Sequence, residues 1–231
     1  MSTTTPGLSS PVRLVVCGTD TDVGKTVVSA LLVQGLGAQY WKPVQCGLEA
    51  GAGDRERVQG WLQLPEARLL PNAYCFLDPV SPHWAAERAS GNPDQPGPAI
   101  DPQRLTLPEA SGPLVVETAG GLLVPLRRDL LQIAQIQRWG LPVLLVARSG
   151  LGTLNHTLLS LEALQRRRIP VLGVLLNGAP HADNPRTLAQ LGGAPVLGCL
   201  STLPTINAAT LQEQWQALNL SHKLGATPLQ P

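Results

Sequence analysis

The stretch Gly18-Thr19-Asp20-Thr21-Asp22-Val23-Gly24-Lys25-Thr26 decides how this chain is read. It follows the apolar run Val12 to Cys17 and precedes the helix-like Val27-Val28-Ser29-Ala30-Leu31-Leu32, so a strand, a phosphate-sized loop and a helix are predicted in that order. Such a loop aims backbone N–H groups, the positive end of the helix dipole and the Lys25 ammonium at one polyphosphate, and leaves the Thr26 hydroxyl for a magnesium ion. The usual phosphate-loop pattern has four residues between its glycines. Here five separate Gly18 from Gly24, and Thr19 stands where the first glycine would sit, so the loop is a variant. Nucleotide-dependent chemistry is the implication.

A chain of 231 residues without a low-complexity divider reads as one domain over residues 12–231, preceded by a flexible Ser/Thr/Pro-rich tail over residues 1–11. The net charge of +1 supplies no field for steering toward nucleic acid or an anionic membrane, and neither is expected as a partner. The one basic run, Arg166-Arg167-Arg168, falls where a helix should end, and there it complements the helix dipole. Cys17, Cys46, Cys75 and Cys199 are far apart and form no Cys-x-x-Cys pair, which suggests neither a disulfide framework nor a zinc site. The tail lacks the regions of a signal peptide, and no apolar run approaches the ~18 residues of a membrane span. A soluble, cytoplasmic protein is expected.

Four continuous apolar runs recur: Val12 to Val16, Leu114 to Val116, Pro142 to Ala147 and Val171 to Leu176. Continuous runs suit strands buried on both faces of a parallel sheet. Helical patterns lie between them, at Leu130, Ile133, Ala134 and Ile136 and again at Leu154, Leu158, Leu159, Leu161 and Leu164, and supply crossovers. Ala38 to Val44 and Ala194 to Leu200 would extend the sheet, while Leu64 to Pro113, crowded with Pro93, Pro96, Pro98 and Pro102, reads as loops and short helices. The expected fold is α/β: a single-domain P-loop NTPase-like architecture with a mostly parallel sheet flanked by helices. Ligands bind such sheets beyond the carboxyl ends of their strands. At those ends stand the phosphate loop, Lys42, Glu117, Ser149-Gly150-Leu151-Gly152 and Asn177.

The segments Gly-Thr-Asp-Thr-Asp-Val-Gly-Lys-Thr (18 to 26), Trp-Lys-Pro-Val-Gln-Cys-Gly (41 to 47), Ser-Pro-His (81 to 83), Glu-Thr-Ala-Gly-Gly (117 to 121), Gly-Thr-Leu-Asn-His (152 to 156) and Leu-Asn (176 to 177) occur in this order across nearly the whole chain. Together they resemble the dethiobiotin synthetase family, of which the variant phosphate loop is itself characteristic. The resemblance implies a homodimeric, magnesium-dependent ligase that uses ATP to close the ureido ring of dethiobiotin from 7,8-diaminononanoate and carbon dioxide in biotin synthesis. An amine would become a carbamate, the carbamate would be phosphorylated, and the second amine would displace phosphate.

Carried over by motif, the resemblance makes Lys42, Lys25 and Thr21 catalytic. Carbamate and γ-phosphate are both anions, so cations are needed where charge builds up. Asp22, Val23, Gly24, Lys25, Thr26 and Val27 would hold the nucleotide with Asp54, Glu117, Thr118, Ala119 and Gly120, while Asn177, Gly178, Ser201, Thr202 and Leu203 would form the base pocket. Thr26, Asp54 and Glu117 would bind magnesium, which prefers oxygen ligands. A solvated loop carboxylate is the alternative reading for Asp54, and a snorkelling surface lysine the alternative for Lys42. Cys46 would face the carbamate, and Gly152, Thr153, Leu154 and Asn155 would hold substrate across the dimer interface. For His156, a capping or interface role competes with a catalytic one.

Several residues depart from the family pattern. Cys46 replaces Ser or Thr, Thr118 a glycine, Ser201 a proline and Asp22 a common Glu, and Asn184 falls near the position of a tyrosine in some relatives. Two other kinds of P-loop ATPase fit the sequence less well. A cobyrinic acid diamide synthase needs a glutaminase domain for which the chain has no room. A ParA/MinD-like switch usually carries a lysine early in the loop, where this chain has Thr19-Asp20-Thr21, and a basic C-terminal amphipathic helix is missing from Leu211 to Pro231.

Overall fold

The branched, continuously apolar runs pair side by side, as strands covered on both faces must. The computed structural model describes residues 11–48, 51–89, 97–110 and 112–225. Strand β1 (Arg13–Gly18) leads through the phosphate loop into α1 (Lys25–Leu36), followed by β2 (Gln39–Trp41), β3 (Val44–Gln45) and α2 (Asp54–Leu62). The middle of the chain holds β4 (Tyr74–Cys75), α3 (Pro82–Arg88) and two 3-10 turns, Glu66–Arg68 and Pro102–Leu105. Next come β5 (Leu114–Gly121), the hairpin of β6 (Pro125–Arg127) and β7 (Leu130–Leu131), α4 (Gln132–Trp139) and β8 (Val143–Arg148). The chain continues with α5 (Thr153–Arg166), β9 (Val171–Asn177), α6 (Asn184–Leu191), β10 (Val196–Leu200), α7 (Ala208–Ala217) and α8 (Leu220–Lys223).

Six parallel strands lie in the order β10-β9-β8-β1-β5-β2. The connection from β1 runs to β2 on one side, whereas that from β5 crosses to β8 on the other side of β1, and this reversal opens a crevice at the C-terminal end of the sheet, the usual place for a ligand in this architecture. Alternate residues explain why the strand sequences do not alternate in polarity. Leu14, Val16, Val115 and Leu144 pack on one face against Leu31, Leu32 and Trp215, whereas Val15, Cys17, Val116 and Leu145 pack on the other against Ile133, Ile136 and Leu161. A third, smaller cluster of Val44, Ala86, Ile100, Leu105, Leu126 and Leu130 lies under the loops.

Two boundaries differ from expectation. The run Ala38 to Val44 is broken at Lys42-Pro43: β2 ends at Trp41, and β3 pairs with β4 in a ladder of its own. Proline lacks the N–H a continuing ladder would require. Leu130 belongs to β7 rather than to the following helix, which starts at Gln132. The loop-rich middle and the basic end of α5, with Arg166 in its last turn, are as expected. Residues 1–10 of the polar tail, Pro93, Pro96 and the last six residues of the chain lie outside the described residues. Among the described residues no helix is long and apolar enough to cross a membrane.

Gly35 shows how closely α1 packs on α7. A Cβ added there would fall 2.0 Å from Cδ2 of the Trp215 indole. Alanine normally gains up to about 1 kcal/mol over glycine in a helix, but overpacking of about 1–3 kcal/mol wins at such a contact. Gly35→Ala is therefore expected to lower the urea midpoint. A midpoint at or above that of the unaltered chain would show that the indole has room to move.

Candidate active site

Residues 19–24 turn from the end of β1 to the start of α1. Val23, only 1% exposed, anchors the turn in the core. Gly24 has φ 94°, and a Cβ there would fall 2.1 Å from Asn177 Nδ2, so glycine alone fits. Asp22 takes φ 54°, a left-handed conformation that Asp tolerates better than most residues. The Thr21 N–H donates to Asp20 Oδ1 at 2.7 Å, and Arg148 at the end of β8 donates to the Thr21 carbonyl at 3.1 Å. No side chain caps α1, which leaves its first-turn N–H groups pointing into the crevice. Lys25 folds back over the loop and donates to the Asp20 carbonyl at 2.8 Å. Burial pushes its ammonium pKa down, against the pull of Glu117.

Facing this loop is a buried cluster built on three elements. Glu117, on β5, has no exposure to water. Its Oε1 accepts from Thr26 Oγ1 at 2.9 Å and from Lys42 Nζ at 3.0 Å, and its Oε2 accepts from the Tyr40 hydroxyl at 2.9 Å. Lys42 also pairs with Asp54. Burial alone would lower the Lys42 pKa, but Glu117 and Asp54 outweigh it and the net shift is upward. Burial would raise that of Asp54, but Lys42, with Thr26 and Arg57, carries it below the ordinary carboxylate value. Burial, reinforced by Glu117, pushes the Tyr40 phenol well above its usual range, so it is a donor throughout neutral pH.

Asp54 is not a solvated loop carboxylate. It is the first residue of α2, and its N–H, one of the orphans at that helix start, donates to Gln45 Oε1 at 3.0 Å. Nor is Lys42, 6% exposed, a snorkelling surface lysine.

Loop and cluster line one cleft of about 760 Å³. It gathers Thr21, Asp22, Gly24, Lys25, Thr26, Val27, Lys42, Cys46, Asp54, Glu117, Ala119 and Gly120, twelve of the residues the sequence singled out. The Cys46 thiol is pushed up to about 11 by burial, with Lys42 opposing, so it faces the cleft as a neutral thiol, a weak donor.

Other expected residues lie elsewhere. Thr118 turns to the opposite face of β5 and donates to the Val16 carbonyl at 3.2 Å, and its φ is not positive, so the missing glycine brings no backbone cost. Asn177 stands beside the loop, with Nδ2 donating to the Val23 carbonyl at 3.1 Å. Gly178 adjoins it with φ 122°, and Ser201, Thr202 and Leu203 follow β10, whose last residue Leu200 stands beside Asn177. The strand-end segment Gly152 to Asn155 does not enter the cleft of its own chain: Gly152 has φ 88°, the Thr153 and Thr157 hydroxyls pair at 3.2 Å, Leu154 is half-buried and Asn155 is exposed. His156 lines a second, shallow groove of about 310 Å³ with Asp20, Leu122, Leu123 and Leu159. Asn184 donates to the Ser149 carbonyl at 2.8 Å and braces that loop.

Sequence reading passed over Tyr40, Arg57 and Trp61. The last two line the cleft from one face of α2, and Arg57 Nη1 lies 3.7 Å from Asp54 Oδ1. Their spacing of one and two helical turns after Asp54 was the available signal. Tyr40 lay hidden inside an apolar run.

A family model described as an AAA domain matches residues 12–210. The ATP-dependent dethiobiotin synthetase BioD of Rhodopseudomonas palustris (strain HaA2) is 50% identical over 199 residues, covering 86% of this chain and 90% of that protein. The BioD of Bradyrhizobium sp. (strain BTAi1) is 49% identical over 201 residues, 87% and 92% of the two chains. The biotin biosynthesis bifunctional protein BioCD of Bordetella avium (strain 197N) is 50% identical over 198 residues, 86% of this chain and 41% of that longer protein. Among solved structures, the septum site-determining protein MinD complexed with Mg-ADP from Pyrococcus horikoshii OT3 aligns over 93% of both chains with a TM-score of 0.53 and 17% identity, a likeness of fold alone. Half of the aligned residues are shared along nine-tenths of a complete synthetase, so this chain belongs to the ATP-dependent dethiobiotin synthetase family and, over residues 12–210, to the AAA-domain family.

Proposed function

We propose that residues 12–231 act as one ligase domain that closes the ureido ring of dethiobiotin from 7,8-diaminononanoate, carbon dioxide and ATP. The observation that carries this reading is the buried Lys42, held between Asp54 and Glu117 on the wall that faces Lys25 and Thr26. One amine takes up carbon dioxide and loses a proton to give the carbamate. A carbamate oxygen then attacks the γ-phosphorus and ADP leaves. The second amine attacks the carbamoyl carbon, the C–O bond to phosphate breaks, and the cyclic urea and phosphate separate.

In this scheme Lys25 exchanges the Asp20 carbonyl for the triphosphate and, with the α1 N–H groups, neutralises its tail. Lys42 keeps its proton, because its pKa is raised, and therefore serves as a fixed charge near the carbamate and transferring phosphoryl rather than as a base. Thr21 and Cys46 sit on the cleft wall where the carbamate would lie. Asn177 holds the loop from outside and has its Oδ1 available for the base, with Ser201 to Leu203 beyond it.

The donor set suits magnesium. Glu117 is acceptor-only, so the Thr26 hydroxyl donates to it and turns its own lone pairs outward, beside the Asp54 carboxylate. Thr26, Asp54 and Glu117 supply one hydroxyl and two carboxylates, and phosphate and water would complete the ion's shell. When bound, magnesium would neutralise charge on the phosphates.

We further infer a cytoplasmic homodimer. Four free cysteines suit a reducing compartment. Exposed Leu123 and Leu159 line the groove that His156 shares, exposed Leu151 directly precedes Gly152, and pairing there would bring Gly152 to Asn155 to the partner's cleft.

Incubation with diaminononanoate, bicarbonate, magnesium and ATP should yield the cyclic urea and ADP by mass spectrometry, and their absence would overturn the reading. Lys25→Ala and Lys42→Ala should each lower turnover by about 10²-fold or more. Their effects on stability should diverge. The folded-state pKa of Lys25 lies below its unfolded value, so its charge opposes folding and its removal leaves Tm level or higher at neutral pH. Lys42 is shifted the other way, and its removal strands two buried carboxylates, so Tm falls. For the dimer, mixing inactive Lys42→Ala and Asn155→Ala chains should restore part of the turnover, and no recovery would show that each cleft is complete in one chain.

A further inference from the structure

We propose that Tyr40 is a positioning residue for the magnesium–nucleotide complex: its buried hydroxyl clamps the far oxygen of Glu117 and so aims the near oxygen, together with the Thr26 hydroxyl, at the metal. The inference rests on the magnesium–nucleotide site set out above and assigns a role to a residue outside the six motif segments.

Tyr40 has no exposure to water, and its ring lies in the core cluster with Val16 and Val115. On β2 it stands in register with Val115 of β5, and Glu117 follows two residues later on the same face. That diagonal spans roughly 7–8 Å between neighbouring strands, within reach of an aromatic side chain and beyond Ser or Thr. The hydroxyl donates to Oε2 at 2.9 Å, while Oε1 takes Thr26 and Lys42. The two carboxylate oxygens thus have separate duties, one turned into the sheet and one toward the cleft. Phenylalanine would fill the same volume without placing a hydroxyl in an apolar core, where a polar group is costly unless it is paired.

Sheet register therefore sets the plane of the carboxylate. Without the phenol, Glu117 would keep its cleft-side partners but could pivot about them, and the Thr26 hydroxyl would turn with it. Outer partners of this kind are typically worth about 10–100-fold in metal affinity.

The test is calorimetric titration of ADP into the full chain, with and without magnesium, for the unaltered protein and for Tyr40→Phe. The expected result is a loss of about 10-fold in the gain that magnesium adds to ADP binding, with metal-free ADP binding retained. An undiminished magnesium gain overturns the proposal, as does an equal loss with and without the metal, which would mark a merely structural tyrosine. If the unaltered chain shows no magnesium-dependent ADP binding, the underlying site reading fails instead. Should Tyr40→Phe not fold, the unmutated sequence grown with 3-fluorotyrosine decides the matter, since the chain contains only two tyrosines, Tyr40 and Tyr74. The Tyr40 fluorine resonance should shift when magnesium joins ADP, and an unmoved resonance refutes the clamp.

Discussion

A carboxylate sealed from water within a central strand is the constraint around which the site is arranged. Glu117 would be too costly to bury as an isolated charge. It is tolerated because Lys42, Thr26 and Tyr40 all answer it, Thr26 from the start of α1 and the other two from the end of β2. The same need explains why β2 ends where it does, with Lys42 at the rim, and why α2 starts with Asp54 within reach of that lysine. Removing any member would leave an unanswered charge or hydroxyl, so the cluster is held together by mutual requirement.

The sheet was legible because its strands are buried twice over. Continuous runs such as Leu114 to Val116 have a single comfortable place in an α/β protein, between two helical layers, and the structure puts them there. Boundaries were less legible. Lys42-Pro43 interrupts an apolar run that reads as one strand, and Leu130 carries a helical spacing yet lies in a hairpin, because local pattern records apolarity and not which neighbour supplies the ladder.

The candidate site was legible where a motif bears its own geometry. A glycine-bounded loop before a helix and a carboxylate after an apolar strand announced both walls of the cleft. The dependence of Glu117 on Tyr40 was hidden, since it joins residues far apart in the chain through strand register that no single stretch encodes, and that of Asp54 on Gln45 was hidden because it needs the turn that brings the start of α2 back over β3. For Gly152 to Asn155 the difficulty is of another kind: one chain by itself does not bring that segment to its own cleft.

The small cluster of Val44, Ala86, Ile100, Leu105, Leu126 and Leu130 packs apart from the two layers that flank the sheet. Its Ala86 lies on α3, the helix that Pro82 begins and that follows Pro79 to Ser81 on the cleft wall, while the phosphate-facing side of the cleft belongs to the sheet and α1. Ceiling and foundation thus have separate hydrophobic footings. Substitutions in the ceiling can reshape what the chamber admits while the polyanion cradle below keeps its alignment, a division of labour that lets selectivity drift without rebuilding the chemistry.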